Sequence, residues 1–125
     1  MKHQEYELQK MLCQWLEIQF PKVLFLSDTI ASVKLKIPQQ LRNKKIQKSG
    51  FKCPDLLILE PKKGYAGLFI ELKTKSPFKK NGEIYSNDHL KAQQHSLNKL
   101  EEKGYKTCFS WEFERTKNII ESYLM

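Results

Sequence analysis

Two apolar stretches joined by a short polar segment constrain the fold of this chain most. Residues 53–59 and 68–73 have the composition of β-strands, and residues 61–65 between them have the composition of a hairpin turn. With a three-residue loop at residues 62–64 and Gly64 in a left-handed conformation, Asp55 is expected to face Glu71 across the hairpin. Their Cβ atoms would then lie roughly 5 Å apart.

Asp55, Glu71 and Lys73 are therefore expected to converge at one end of this hairpin. Lys73 points to the same face as Glu71 because side chains alternate along a strand. Two carboxylates directly opposite each other destabilise a sheet unless their charge is compensated. A divalent cation with oxygen ligands would compensate it, and so would a cross-strand ion-pair cluster in which Lys73 neutralises Glu71. The residues alone leave both interpretations open.

Length and composition indicate one globular domain over residues 1–125. The chain has 125 residues, of which 40% are hydrophobic, and no apolar run approaches the ~20 residues of a membrane span. Because its first residues lead into an amphipathic helix and not an apolar signal core, we expect a cytoplasmic protein with no membrane partner. Cys13, Cys53 and Cys108 are widely spaced and are expected to be small buried residues, not a disulfide framework or a zinc site.

Positive charge is distributed unevenly along the chain. The formal charge is +8, residues 29–54 contain no acidic residue, and a second lysine cluster occupies residues 73–80. Such a surface favours a polyanionic partner, most often nucleic acid, although lysine-rich segments are often only solvated surface. The residues expected to contact nucleic acid are Lys34, Lys36, Arg42, Lys44, Lys45, Lys48, Lys52 and Lys75.

Hydrophobic periodicity predicts the other elements. Residues 5–18 form a helix whose apolar residues follow a 3–4 spacing. Residues 74–86 lack periodicity and predict a mobile loop beside Lys73. The remaining predictions are a strand at 23–26, a possible short basic helix at 38–46, a helix from 87 to 103 that ends before Gly104, a strand at 105–111 and a helix at 112–124. Without the uncertain basic helix, the order is α-β-β-β-α-β-α.

Two polar residues on the predicted helices are candidates for a functional site. Gln93 interrupts an apolar stripe formed by Leu90, Leu97 and Leu100. A polar side chain there needs a hydrogen-bond partner, which is either a neighbouring backbone group or part of a site that opens at this position. Glu5 flanks the apolar face of the first helix, where it either reaches a metal site or is a solvated acid favoured by the helix dipole.

The motifs resemble the PD-(D/E)xK signature of restriction-endonuclease-like nucleases, with Pro54-Asp55 followed by Glu71-Leu72-Lys73. Within that superfamily the chain is most similar to the VRR-NUC domains of phage and repair proteins. Four motifs match in order: E-x-x-L-Q at residues 5–9, an approximation to G-x-P-D-L at 51–56, G-L-x-I-E-L-K at 67–73, and Q-x-x-x-L-x-x-L-x-x-x-G-Y at 93–105. Cys53 stands where the family often has glycine or another small residue, and residues 34–48 do not align.

The resemblance implies an α/β fold with a restriction-endonuclease-like core, in which a central mixed β-sheet is flanked by helices. It also implies metal-dependent hydrolysis of phosphodiester bonds in DNA. Asp55, Glu71 and the Leu72 carbonyl would hold Mg²⁺ or Mn²⁺, and Lys73 would position the attacking water and offset charge. Gln93 and Glu5 would orient the water or shape the metal shell.

Stand-alone VRR-NUC proteins are often homodimers that act on branched DNA. The resemblance therefore implies a junction or flap substrate in replication, repair or recombination, a possible homodimer, and location in the host cytoplasm if the protein is phage-encoded. One alternative is a catalytically inert nuclease-like module that only binds nucleic acid, and another is a basic structural or adaptor protein. A divalent-metal titration separates the nuclease from the inert module.

Overall fold

The computed structural model describes residues 2–28 and 35–125, and in it a mixed four-stranded sheet is flanked by helices. The predicted α/β arrangement, a central mixed sheet flanked by helices, is confirmed. The observed order also contains the short basic helix that the sequence left open, and this helix lies between the first two strands. The helices are α1 (Lys2–Gln19), α2 (Ile37–Ile46), α3 (Asp88–Glu102) and α4 (Phe113–Leu124), and the strands are β1 (Phe25–Ser27), β2 (Leu56–Ile58), β3 (Leu68–Lys73) and β4 (Lys106–Trp111).

The strands follow the order β1-β2-β3-β4 across the sheet. The pairs β1–β2 and β2–β3 are antiparallel, whereas β3–β4 is parallel. A parallel pair requires a crossover connection, and α3 provides it. Its N-cap is Asn87, whose side chain accepts hydrogen bonds from the backbone of His89 and Leu90. Gly104 follows its C-terminus with a φ of +100°, as the sequence predicts.

One face of the sheet packs on α1 and α4 and forms the main core. Alternate residues of the central strands point to this face and are fully or almost fully buried. Met11 shares the 3–4 spacing of the apolar residues of α1 but is 46% exposed, and the core does not include it. The core residues are Leu12, Leu16, Leu56, Ile58, Leu68, Ile70, Leu72, Ile120, Tyr123 and Leu124.

The opposite face carries α3 and the polar residues of the candidate site. Phe69 stacks on Tyr105 with ring centroids 4.6 Å apart, and the Thr107 hydroxyl donates to the Leu97 carbonyl at 3.3 Å. Because Glu71 follows Phe69 by two residues on β3, it points to this face as well. The sheet is thus apolar on the α1/α4 face and becomes polar at one end of the α3 face.

The β2–β3 hairpin has the predicted register but a different turn. Leu56 pairs with Ile70, which places Asp55 across from Glu71. The turn contains two central residues, Lys63 and Gly64, with φ of +54° and +86°, as a type I′ turn requires. Residues 59–61 then face residues 66–67, and this extra residue on the first arm restores the predicted register.

Gly67 allows the close approach of β2 and β3 at the start of the second strand. A Cβ atom built there would lie 2.9 Å from the Ile58 carbonyl oxygen, a distance that side chains do not tolerate. The glycine that opens the G-L-x-I-E-L-K motif therefore has a packing function in this chain.

Helix α2 is an accessory element with no buried residue. Pro38 lies in its first turn, where its fixed φ and missing N–H are compatible with a helix. Among the cysteines, Cys13 and Cys108 are partly buried, but the prediction of burial was wrong for Cys53, which is exposed. No helix in residues 2–28 and 35–125 is long and apolar enough to cross a membrane.

Candidate active site

Asp55 is held in place by the strand that follows it along the hairpin. Its Oδ2 atom accepts a hydrogen bond of 2.8 Å from the Leu72 backbone N–H. Continuing the β2–β3 register places Pro54 opposite Leu72. The Asp55 carboxylate thus accepts the Leu72 N–H, which the carbonyl of the opposite residue would accept in a regular antiparallel pair. This hydrogen bond fixes the carboxylate at the end of the sheet.

Pro54 also affects the other backbone group of Leu72. In an antiparallel ladder the residue opposite would donate its N–H to the Leu72 carbonyl. Proline has no backbone N–H, so Pro54, which is buried, cannot supply that donor. The proline of the Pro-Asp motif therefore leaves the Leu72 carbonyl without its strand partner, next to the Asp55 carboxylate.

Gln9 fixes the backbone around Asp55 from the side of α1. Its Nε2 atom lies 2.5 Å from Ser27 Oγ, 3.0 Å from the Asp28 carbonyl and 3.1 Å from the Asp55 carbonyl. The Asp28 N–H also donates to the Asp55 carbonyl at 2.9 Å. One amide side chain therefore ties α1, the end of β1 and the start of β2 together.

Glu71 is a buried carboxyl group beside Asp55, with only 4% of its surface exposed. Burial raises its pKa well above the ordinary value near 4.5, and a hydrogen bond and the charge of Asp55 raise it further. Lys73 opposes this shift, while Glu5 adds to it. Glu71 therefore retains a proton in the metal-free protein at a pH where an exposed glutamate is ionised.

Lys73 forms no ion pair with Asp55 or Glu71 among the described residues. The ion pairs among the described residues, Lys10–Glu7 and Lys117–Glu114, do not include it. Its charge nevertheless affects Glu71. The ion-pair cluster that the sequence left open is thus not formed in residues 2–28 and 35–125. Burial and Asp55 instead raise the pKa of Glu71, which favours a protonated Glu71 and so a smaller charge on the carboxyl pair.

Glu5 extends the acidic group from the first turn of α1. Partial burial raises the pKa of Glu5, the charge of Asp55 raises it further, and Lys73 lowers it. Since Asp55 and Lys73 act on it by charge, Glu5 lies within electrostatic reach of the strand ends. The side chain is exposed, so it stands at the rim of the site.

Gln93 lies on α3 between His89 and Ser96, and both of these residues interact with Lys52. One turn earlier, burial lowers the pKa of His89, and the charges of Lys73 and Lys52 lower it further. One turn later, the buried Ser96 hydroxyl accepts a hydrogen bond of 2.7 Å from the Lys52 N–H. Gln93 is 7% exposed, and its Oε1 atom has no hydrogen-bond partner among the described residues.

Side chains alone supply too few ligands for a divalent cation at this site, and a backbone carbonyl would have to complete the set. No group of three or more His, Cys, Asp or Glu side chains in residues 2–28 and 35–125 is arranged to hold a metal ion. The available oxygens are the Asp55 and Glu71 carboxylates and the Leu72 carbonyl, which are the hard ligands that Mg²⁺ and Mn²⁺ accept. The unpartnered Gln93 Oε1 is one further buried acceptor, of the kind that a bound water satisfies.

The chain matches no protein-family model, and no curated protein matches it. Among solved structures, it superposes on a VRR_NUC domain protein with a TM-score of 0.64, over 96% of this chain and 87% of the other, at 22% sequence identity. The chain has the VRR_NUC fold. The resemblance inferred from the motifs is thus confirmed at the level of the fold.

The predicted nucleic-acid contacts fall into two groups on this VRR_NUC fold, and Lys34 lies outside the described residues. The first group consists of Lys52, which acts on His89 by its charge, and Lys75, which lines a cleft with Glu5 and Lys73. The second group lies on or next to α2 and is exposed to solvent. It consists of Lys36, Arg42, Lys44, Lys45 and Lys48.

Sequence reasoning missed two residues, Gln9 and Ser96, that hold the backbone around the candidate site. Gln9 was noticed only as part of a motif, and its three hydrogen-bond partners lie 18 to 46 residues away along the chain. Ser96 shares a helix face with Gln93, three residues away, and a buried serine gives no distinct pattern. The E-x-x-L-Q motif was the signal that could have identified Gln9, because the spacing places Glu5 and Gln9 one turn apart.

Proposed function

We propose that this protein is a metal-dependent nuclease that hydrolyses phosphodiester bonds in DNA. The observation that carries the proposal is the Asp55 carboxylate, held by the Leu72 N–H at 2.8 Å beside the buried Glu71. Such a pair of carboxyl groups is unfavourable in a sheet, and it lies among basic residues that suit a phosphate substrate. The neighbouring structure is described as a VRR_NUC domain protein, which supports a nuclease.

Asp55, Glu71 and the Leu72 carbonyl would hold Mg²⁺ or Mn²⁺. A metal there supplies Lewis-acid polarisation of the phosphate and a bound water of lowered pKa. The residues of the chain have separate tasks. Asp55 and Glu71 keep their oxygens at fixed positions, and Glu71 must lose its proton before it binds a cation. Lys73 brings positive charge to the phosphate as negative charge develops.

Gln93 and Glu5 complete the proposed site from the two helices. The free Gln93 Oε1 would accept a hydrogen bond from a water molecule and so orient it. Glu5, at the rim, would contribute through its electrostatic interaction with Asp55 and Lys73. Lys52 and Lys75 would contact the strand being cut, while the α2 lysines contact the backbone further away with little base preference.

The finer features of the proposal come from the VRR-NUC resemblance. They are a branched or structured DNA substrate, such as a junction or flap, a role in replication, repair or recombination, a homodimer, and action in the cytoplasm. The large basic surface supports them, because branched DNA presents more phosphates to a small domain than a single duplex does.

One panel of substrates tests the proposal. Labelled flap, four-way junction, duplex and single-stranded DNAs are incubated with Mg²⁺, with Mn²⁺ and with excess chelator. We expect cleavage only with metal, and loss of cleavage in Asp55→Asn and Glu71→Gln, both of which remain folded. Glu114→Gln changes an exposed glutamate on α4 and is the matched control.

Cleavage in excess chelator, or by either site variant, would refute the assignment. Mn²⁺ titration calorimetry separates the inert module from the nuclease, because a module that only holds DNA has no reason to bind the metal tightly. DNA binding without metal binding or cleavage would favour the inert module.

A further inference from the structure

A cleft with a volume of about 700 Å³ begins at the candidate active site and extends along the segment between β3 and α3. Its lining includes Glu5 and Lys73 of the candidate active site, together with Lys75, Lys79 and Tyr85. The volume lies within the range of roughly 300–1,000 Å³ that is typical of ligand-binding clefts, and the cleft is therefore large enough for a nucleotide.

The wall of this cleft is built by an ordered hairpin. Phe78 packs against Phe109 and Trp111 of β4, with ring centroids 5.9 and 6.1 Å apart, and it forms a β-bridge with Ile84. The Lys79 N–H donates to the Glu83 carbonyl at 2.7 Å. The sequence predicted a mobile loop here, whereas the aromatic anchor and the hydrogen bonds give the segment a defined conformation.

Tyr85 is held in a fixed place on this wall. Its N–H donates to the Pro77 carbonyl at 3.0 Å, and its carbonyl accepts from the Asn87 N–H at 2.9 Å. The side chain is 50% exposed. None of the aromatic or cation–π contacts among the described residues involves its ring. The Tyr85 side chain thus lines the cleft together with two lysines, and its ring remains available for stacking.

This combination distinguishes an unpaired nucleotide from a duplex. Proteins bind single strands by stacking bases on aromatic side chains while cations follow the phosphates. In an intact duplex the bases are already stacked on each other, so a tyrosine at the side of a cleft gains no stack. Lys75 and Lys79 are exposed and carry the charge that phosphates on either side of a stacked nucleotide require.

We propose that the cleft binds an unpaired nucleotide of the DNA strand next to the phosphate at the carboxylates, with its base stacked on Tyr85 and its phosphates near Lys75 and Lys79. The inference rests on the proposed nuclease function and specifies its substrate: the strand must be single-stranded or frayed at the cut. Tyr85 thereby selects flaps and open junctions over continuous duplex.

A binding measurement tests the cleft without requiring cleavage. A duplex with a single-stranded flap carries 2-aminopurine at the first unpaired position, and fluorescence is recorded in excess chelator as protein is added. We expect quenching by the natural protein, because stacking on an aromatic ring lowers 2-aminopurine emission. In Tyr85→Ala we expect the quenching to be abolished and the flap to bind roughly 5- to 100-fold more weakly, the range for one stacked base.

Two further variants distinguish stacking from structural damage. Tyr85→Phe retains the ring and should quench and bind like the natural protein. Tyr6→Ala removes a tyrosine that is 48% exposed on α1 and should change neither measurement. Flap binding by Tyr85→Ala at natural strength, or a Tyr85→Phe protein as weak as Tyr85→Ala, would overturn the proposal.

A lysine variant keeps the proposal testable even if Tyr85→Ala does not fold. Replacing Lys75 and Lys79 by glutamine should lower the slope of log affinity against log salt on the flap by about 1.4, at about 0.7 for each phosphate of a single strand that is no longer neutralised. Equal slopes would contradict the cleft. If the protein quenches 2-aminopurine but cuts no DNA with any metal, the nuclease assignment fails while the binding site stands.

Discussion

Replacement of Glu71 by glutamine is expected to stabilise the metal-free protein while abolishing its activity. Glu71 is 4% exposed and lies beside a second carboxylate. Burial and Asp55 raise its pKa, so the folded state binds a proton that the unfolded chain releases near pH 4.5. Glutamine has nearly the same shape, carries no charge and retains a hydrogen-bond donor toward Asp55.

The sign of the pH dependence follows from this shift. Between the unfolded and folded pKa values, the folded state binds more protons than the unfolded state, so the free energy of unfolding falls as pH rises. The natural protein should therefore lose stability between pH 5 and pH 8 relative to Glu71→Gln. At pH 5 the two proteins should differ little.

The magnitude is bounded by the same linkage. A proton retained at pH 8 by a group with an unfolded pKa of 4.5 corresponds to at most about 5 kcal/mol, at about 1.4 kcal/mol for each pH unit. Relaxation around the pair reduces this limit, and we expect Glu71→Gln to gain about 1–3 kcal/mol at pH 8. For a domain of this size that is roughly 3–12 °C in Tm.

Urea unfolding in excess chelator at pH 5 and pH 8, repeated with saturating Mg²⁺ or Mn²⁺, measures the effect. Metal should reverse the order, because a cation at about 1,000 times its Kd stabilises the natural protein by about 4.1 kcal/mol, which exceeds the expected gain of the variant, while the variant binds the cation weakly. Glu114→Gln, whose exposed side chain pairs with Lys117 at 3.6 Å, should change stability by less than about 0.5 kcal/mol.

A Glu71→Gln protein that is less stable than the natural protein at pH 8 without metal would refute this reasoning. It would mean that Glu71 is ionised and stabilised by Lys73, which is the cross-strand ion-pair cluster. Equal stability at both pH values would also count against it, because the two carboxyl groups would then not interact.

Two further predictions concern α3 and α2. Gln93→Leu removes a buried acceptor that has no partner among the described residues. Thermal stability should therefore stay equal or rise, while the single-turnover rate should fall roughly 10- to 1000-fold. A stable variant with full activity would mean that Gln93 is only a core residue. Neutralising Lys44, Lys45 and Lys48 together should lower the slope of log affinity against log salt for duplex DNA by about 0.9 for each phosphate that the variant no longer neutralises. Turnover at saturating DNA should stay unchanged. An unaltered slope would exclude α2 as a DNA-binding surface.

The fold was predictable from sequence where hydrophobic alternation decides it. The bounds of β3, Leu68–Lys73, agree with the predicted strand, and the register that places Asp55 across from Glu71 was predicted correctly although the turn was not. A slip by one residue would move Leu56 and Ile58 out of the core, so burial specifies the register more strongly than the loop does. The one extra residue at positions 59–61, opposite residues 66–67, compensates for the shorter turn.

The interactions that position the site were not predictable, because they join distant parts of the chain. Periodicity relates residues three or four positions apart, whereas Gln9 donates to the Asp55 carbonyl 46 residues away. The hairpin before α3 was missed for a similar reason: its order comes from Phe78 packing on β4, not from a repeating pattern. Exposure of Cys53 likewise depends on which elements cover the start of β2.

The arrangement around Asp55 connects the stability of the fold with its proposed chemistry. The Asp55 carboxylate is held by the Leu72 N–H, its carbonyl is bound by Gln9, and Glu71 is fixed on a buried strand. The two carboxyl groups cannot separate, and the raised pKa of Glu71 lets a proton hold them together in the metal-free protein. A cation that binds them needs little reorganisation of its ligands. The same constraint is the reason why we expect Glu71→Gln to be more stable in chelator and inactive with metal, since functional sites commonly trade stability for activity.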